Sequence, residues 1–306
     1  MISTADSNTF RLAGLVLCVV VILAPTARAR PVTDCDRLAA DPWDARRVVE
    51  PEPLTAANAA EAVAACRQAL EAQPEEPRFL LQLGRAFLFQ GFPVKALDPL
   101  SKAAESGYAA AEFYLGFAYE RDGWDGHDKA AARKHYAKSA ELGHAQGQHN
   151  HALALIAEEQ GDGRWVREAL PWLERASEQG LAESLYLQGV LYFNGGYGLW
   201  PDLEKSAELF RAAVDLGHDA SKLALGNAFV MGFGVEKDPQ RGLALITEAA
   251  ENGFAEAQIE LGRMHIKGRA VEQDEELGYQ WFCKAGPAGQ AHFMMEYGKP
   301  LSCNQL

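Results

Sequence analysis

Residues 223–254 read LALGNAFVMGFGVEKDPQRGLALITEAAENGF, and the ending of that stretch recurs along the chain. KSAELGH places a glycine at Gly143, ERASEQGL at Gly180, RAAVDLGH at Gly217 and TEAAENGF at Gly253. An earlier copy, SKAAESGY, ends at Gly107, and a degraded one, CKAGPAGQ, at Gly289. The intervals are 36, 37, 37, 36 and 36 residues. A second marker runs in step at Gly84, Gly116, Ala152, Gly189, Gly226 and Gly262. A fixed period in this range is the signature of a solenoid, in which each unit buries its apolar face on the next.

Each unit reads as two antiparallel helices. Helix A, for example AESLYLQGVLYF (182–193), carries the marker glycine, with Tyr192 three residues later. The equivalents of that tyrosine are Phe87, Tyr119, Leu155, Phe229 and His265. A glycine inside a helix costs about 0.5–1 kcal/mol relative to alanine. Its repetition therefore points to a steric need: helix B of the same unit crosses there with no room for a side chain. Helix B offers one large residue seven before its terminal glycine, namely Tyr136, Leu173, Phe210, Ile246 and Phe282. Four before that glycine stand Ser139, Ala176, Ala213, Ala249 and Ala285. The terminal glycine suits a left-handed cap, and Asp202, Asp238 and Asp274 stand where helix B needs an N-cap.

The pattern Leu-Gly-x-x-Tyr, Gly-x-Gly-Val-x-x-Asp, Ala-Ala-Glu-x-Gly-His resembles the Sel1-like repeat, a branch of the tetratricopeptide superfamily. The resemblance covers roughly residues 78–290, while residues 62–107 are more similar to an ordinary tetratricopeptide unit, with ALEAQPEEP in place of the long glycine loop. It implies an all-α, right-handed superhelical solenoid that serves as a docking surface, commonly outside the cytoplasm of bacteria. The expected organisation is a signal peptide (1–29), an irregular lead-in (30–54) and tetratricopeptide-like helices (55–107). Five repeats (108–290) and a C-terminal cap (291–306) follow. Within the N-terminal part, a short turn of helix is expected near Cys35–Ala40, a helix capped by Thr55 over 56–72, and helices over 78–90 and 94–106.

The N-terminus has the form of a secretory signal: Arg11, an apolar run from Leu12 to Leu23, then Ala27-Arg28-Ala29, with cleavage expected after Ala29. That run is too short for the roughly 20 residues of a membrane-spanning helix. Its removal takes two basic residues and one acidic residue, so the formal charge moves from −13 to −14. Such an acidic surface disfavours binding to nucleic acid or anionic lipid. The remaining cysteines are Cys35, Cys66, Cys283 and Cys303. An even count in an exported chain favours disulfides, and a rod with separated ends admits only Cys35–Cys66 with Cys283–Cys303. Each staple is worth about 3–4 kcal/mol in the chain-entropy account.

No Ser-x-x-Lys and no phosphate-cradling Gly-x-x-x-x-Gly-Lys occurs. Cysteine-rich relatives in the resembled family have been linked to β-lactams, but they carry a cysteine pair in each repeat, which is missing here. A β-lactam or cell-wall-directed hydrolase is thus the secondary expectation, and no catalytic residue or cofactor is assigned. His149 and His151 stand about 200° apart on a helix, which does not suit a shared metal. His151 and Gln188 replace an inward leucine in neighbouring units and are expected to stack. Trp124, Trp165 and Trp200 lie in the loops between helices A and B, where they are expected mainly to cover layer ends. One register, two before the marker, holds Tyr114, Asn150, Leu187 and Glu260, as an exposed inner row would. Asn150 offers both a donor and an acceptor to a peptide backbone. The expected function is an exported, non-enzymatic scaffold for a protein or peptide partner, periplasmic or secreted. Tyr114, Asn150, His151, Gln188 and Glu260 are its candidate contacts. Replacing both His151 and Gln188 by leucine is expected to leave melting temperature unchanged or raised if the pair is only structural. Loss of partner binding at unchanged melting temperature would mark it as a site.

Overall fold

The alternation of apolar stripes and glycine turns produces one helix after another. The computed structural model describes residues 31–157, 164–195 and 199–303. The expected signal peptide and the Trp165 side chain lie outside the described residues. A short α1 (Asp34–Ala39) and α2 (Ala59–Ala72) come first. The helix pairs are then α3 (Pro77–Phe89) with α4 (Pro93–Glu105), α5 (Ala109–Glu120) with α6 (Lys129–Glu141), and α7 (Ala145–Ala157) with α8 (Arg164–Glu178). They continue as α9 (Ala182–Asn194) with α10 (Leu203–Asp215), α11 (Asp219–Met231) with α12 (Pro239–Glu251), and α13 (Ala255–Lys267) with α14 (Glu275–Lys284). Helix α15 (Gly286–Tyr297) closes the array, and no strand occurs among the described residues. The fold is an all-α, right-handed solenoid of antiparallel pairs.

The marker glycines do what their spacing requires. A Cβ on Gly116 would stand 2.7 Å from the Tyr136 ring, one on Gly189 2.5 Å from Phe210, and one on Gly226 2.7 Å from Ile246. Gly84 meets Leu100 and Gly262 meets Phe282 in the same way. Ala152 is the exception, and it packs with Leu173, a smaller partner than an aromatic ring, and Ala169. A further small row, eleven before the terminal glycine, went unread in the sequence: Ala96, Ala132, Ala169, Ser206, Gly242 and Gly278. Its backbone carbonyls lie against the marker glycines; a Cβ on Gly226 would be 2.8 Å from the Gly242 carbonyl oxygen.

Loops are closed by a repeated bond. The N–H of Asp128, Asp202, Asp238 and Asp274 donates to the helix A carbonyl of Tyr119, Tyr192, Phe229 and His265, at 2.8–2.9 Å. The same aspartates cap helix B through their side chains. Trp124 fits the covering role, with its indole N–H donating to the Ala118 carbonyl. Trp200 does not: it is 88% exposed.

The ends depart from expectation in detail. Thr55 does not cap α2, which begins four residues later; its N–H and hydroxyl donate to the Asn58 side chain at 2.7 and 3.1 Å. In the last repeat the left-handed glycine after helix B is Gly286 (φ 64) rather than Gly289, because α14 stops at Lys284. Gly289 lies inside α15, so the cap helix starts before residue 291. Both expected disulfides are present, Cys35–Cys66 and Cys283–Cys303.

Helices A of successive units touch each other from α3 to α5 to α7 and from α11 to α13, while no pair of B helices packs comparably among the described residues. Helix A therefore lies on the inside of the superhelical turn. At Gly242 a Cβ would sit 2.4 Å from the Gly226 carbonyl oxygen and 3.0 Å from the Val230 nitrogen, both backbone atoms. Gly242→Ala is thus expected to destabilise by about 1–3 kcal/mol, despite alanine's better helix propensity, as read by urea denaturation.

Candidate functional site

The inner row begins buried rather than exposed. Tyr114 is 5% exposed, and its hydroxyl accepts from Arg85 Nε at 2.7 Å. Asn150 and Leu187 are half-buried, and Glu260 is engaged by Arg263 and Arg269. Two positions at the N-terminal end, Gln82 and Tyr114, are covered because the lead-in runs over them.

That segment is gripped by side chains of the row. Thr33 and Asp36 form a capping box for α1, and Cys35 is bonded to Cys66 on α2. Asp36 is fully buried, 3.4 Å from Arg78 Nε, and accepts from Gln82 Nε2 at 3.0 Å. Arg85 Nη1 donates to the carbonyls of Ala39 (3.1 Å) and Ala40 (2.5 Å). His144 Nε2 meets Asp41 Oδ2 at 2.9 Å, both side chains buried, across 103 residues of sequence. His144 Nδ1 accepts from the Gly147 N–H, which leaves the ring proton on Nε2 to donate to Asp41. Trp43 packs on Ala145, Ala176 and Leu181, and Arg46 lies over the Tyr108 ring.

Beyond Trp43 the row opens. A cavity of about 200 Å³ lies between Trp43 and the row residues Arg85, Phe117 and Gln146. A second, of about 310 Å³, is lined by Asn150, Leu153 and Ala157 with Glu120 and Tyr136. Leu153 is 41% and Met231 49% exposed. The far end narrows into a cavity of about 400 Å³ where α15 meets α13, lined by Glu260, Arg263, Lys267 and Glu296. Glu296 accepts from both Arg263 and Lys267 at 2.6 Å.

His151 packs on the second helix of its own pair, whereas Gln188 reaches back to the preceding pair. The His151 ring lies edge-on to Trp172 at 5.2 Å. Gln188, buried, donates to Ser177 Oγ and the Ser184 carbonyl, both at 3.2 Å. His149 also reaches the next unit, its Nδ1 2.9 Å from Ser184 Oγ. Among the described residues no group of three His, Cys, Asp or Glu is placed to hold a metal, and no helix is long and apolar enough to cross a membrane.

Burial pushes the Asp41 carboxyl up, but the His144 contact, the nearby Arg85 guanidinium and the Trp43 N–H together hold it below its usual value. Asp44 goes the other way, raised by burial. A carboxyl depressed by folding stabilises fully above its unfolded value, about 3.9, and loses that contribution as pH falls through the folded one. His144→Ala leaves Asp41 buried without its partner and is expected to cost about 3 kcal/mol at pH 7. That deficit should shrink as pH drops below about 4, measured by denaturant unfolding of parent and variant.

Comparison with known proteins places this architecture. The Sel1 repeat profile matches residues 109–144, 150–181, 182–218, 220–254 and 255–288. A Sel1 repeat protein from Oxalobacter formigenes superposes with a TM-score of 0.65 at 24% identity, over 75% of this chain and 96% of that one. The hetero-tetramer Cut9–Hcn1 of the APC/C gives a TM-score of 0.54 at 14% identity, over 76% of this chain and 43% of that one. A protective antigen of uropathogenic Escherichia coli displaying an SLR fold matches at 25% identity, over 79% of this chain and 62% of that one, with a TM-score of 0.41. No curated protein matches. Sel1 repeats generally mediate protein–protein interaction as scaffolds. With five matched repeats over more than half its length, four built on the same glycine crossing and one on Ala152, this chain belongs to the Sel1 repeat family.

Proposed function

We propose that the protein is an exported, non-enzymatic scaffold that holds an extended segment of a protein partner along the inner face of its central repeats. One observation carries this reading. The row on helix A is covered at its start by the lead-in and tied up at its end by the ion pairs under α15, yet lies open between. The open stretch is apolar with amide groups: Asn150, Leu153, Leu187, Val190, Asn227 and Met231. Apolar side chains there offer burial to a partner, and the asparagines offer a donor and an acceptor to its backbone. Two disulfides fit an oxidising compartment, and the acidic surface fits a partner that is neutral or basic.

Of the expected contacts, Asn150 is kept, together with its row neighbours. Tyr114 and Glu260 frame the open stretch, and His151 and Gln188 support it from beneath, against Trp172 and Ser177 of α8. The test begins with affinity purification on the mature chain and narrowing of the partner to a peptide. Leu153→Glu, at a side chain 41% exposed, is then expected to weaken that peptide at least about tenfold, with melting temperature within a degree or two of the parent. Full binding by this variant would remove the inner row from the reading.

A further inference from the structure

The inner face of the first three pairs is not merely covered. It is gripped as a ligand is gripped. From Thr33 to Arg47 the chain has one short helix and otherwise turns and extended backbone, so it contributes little fold of its own. Its contacts are of the kind that reads a peptide. Arg85 takes two consecutive carbonyls, Ala39 and Ala40. Two carboxylates five residues apart are each met by buried side chains: Asp36 by Arg78 and Gln82, Asp41 by His144. Trp43 ends the run with its ring on Ala145, Ala176 and Leu181, beside the cavity from which the open row continues.

The gripping residues are also where the row departs from its other members. Gln82 and Tyr114 hold the register that carries Asn150, Leu187, Ala224 and Glu260 elsewhere. Arg85 stands where the following four helices A have Phe117, Leu153, Val190 and Asn227, and an arginine returns only at Arg263, where it too meets a chain end through Glu296. A side chain that only filled space between helices A would not need to present a guanidinium to a neighbouring backbone. Buried charged groups of this kind are costly unless a matching partner is brought to them.

We propose that the inner face of α3, α5 and the start of α7 is a second peptide site, loaded in the resting protein with the chain's own Thr33–Arg47 segment. The chemistry it accepts is an extended segment with two carboxylates five residues apart, followed by an aromatic. The Cys35–Cys66 bond controls exchange, because it ties the segment to α2 and keeps its local concentration far above that of any competitor. When a dithiol reductant takes that bond to two thiols, itself becoming a disulfide, the segment leaves, and an acidic peptide of the same pattern enters a track that then joins the open central row. The inference rests on the reading of the inner face as a peptide track, while the site it adds lies apart from the central row.

The test uses the full chain carrying Cys35→Ala and Cys66→Ala, with its own segment weakened by Asp36→Asn and Asp41→Asn. The probe is a fluorescein-labelled peptide with the sequence of residues 31–48 and serine at the Cys35 position, followed by anisotropy. A control peptide has asparagine in place of both aspartates. Saturable one-to-one binding is expected, at least about tenfold tighter than for the control, with no binding to the disulfide-bonded parent. Adding Leu153→Glu should leave this affinity unchanged, which separates the second site from the central row. A dimer of the disulfide-free chain with otherwise native sequence, dissolved by the peptide, would support the same site filled by a second copy. Equal affinity for both peptides, or no binding while the helical signal is retained, would overturn the proposal. Loss of helical signal in the weakened chain would overturn it too, by showing that the segment is part of the core.

Discussion

In each repeat two helices approach so closely that one of them keeps at most a methyl group at the crossing. Where helix A meets helix B, a glycine or Ala152 faces Leu100, Tyr136, Leu173, Phe210, Ile246 or Phe282, and helix B answers with a small residue whose carbonyl lies against the glycine. A methyl group at most of these places would stand under 3 Å from a ring, a branched chain or a backbone oxygen. That contact sets the separation of each pair. Pair separation in turn sets how far helix A of one unit lies from helix A of the next, and hence the inner face. The helical cost of each glycine is offset by the close packing it allows along the crossing.

The two ends cover part of that face. At the N-terminal end the lead-in lies across Gln82, Arg85 and Tyr114 and is tied down by a disulfide and a buried carboxylate–imidazole pair. At the C-terminal end α15 packs its Phe293 on Phe282, and its Glu296 takes up Arg263 and Lys267. A solenoid has to blunt its terminal layers, because each would otherwise expose the apolar face meant for a neighbour. Here the blunting elements turn inward as well, so that the protein's own chain covers both ends of the inner face.

Much of this was legible in residue order. The period of 36–37 residues, the marker glycines, the large residue opposite each of them and the aspartate caps all read correctly, because each follows from a local rule acting at a fixed offset. The row of Tyr114, Asn150, Leu187 and Glu260 was legible as one register, since equivalent positions in a repeat recur at a fixed offset. Its exposure was not legible. Tyr114 looked like Asn150 in register, yet it is buried by residues more than 60 positions earlier. Likewise His144 sits in a helix-entry position filled elsewhere by Tyr108, Leu181, His218 and Phe254, and nothing local marks it as the partner of Asp41.

The sequence by itself therefore determined the solenoid, its register, its family and the pairing of its cysteines, because these depend on periodic short-range sterics and on the separation of two ends. Only the tertiary structure decided which part of the inner face is free. That depends on where an aperiodic segment comes to rest, and on side chains that are 103 residues apart in sequence and 2.9 Å apart in space. A repeat predicts its own neighbours. It carries no information about a strand that crosses three of them.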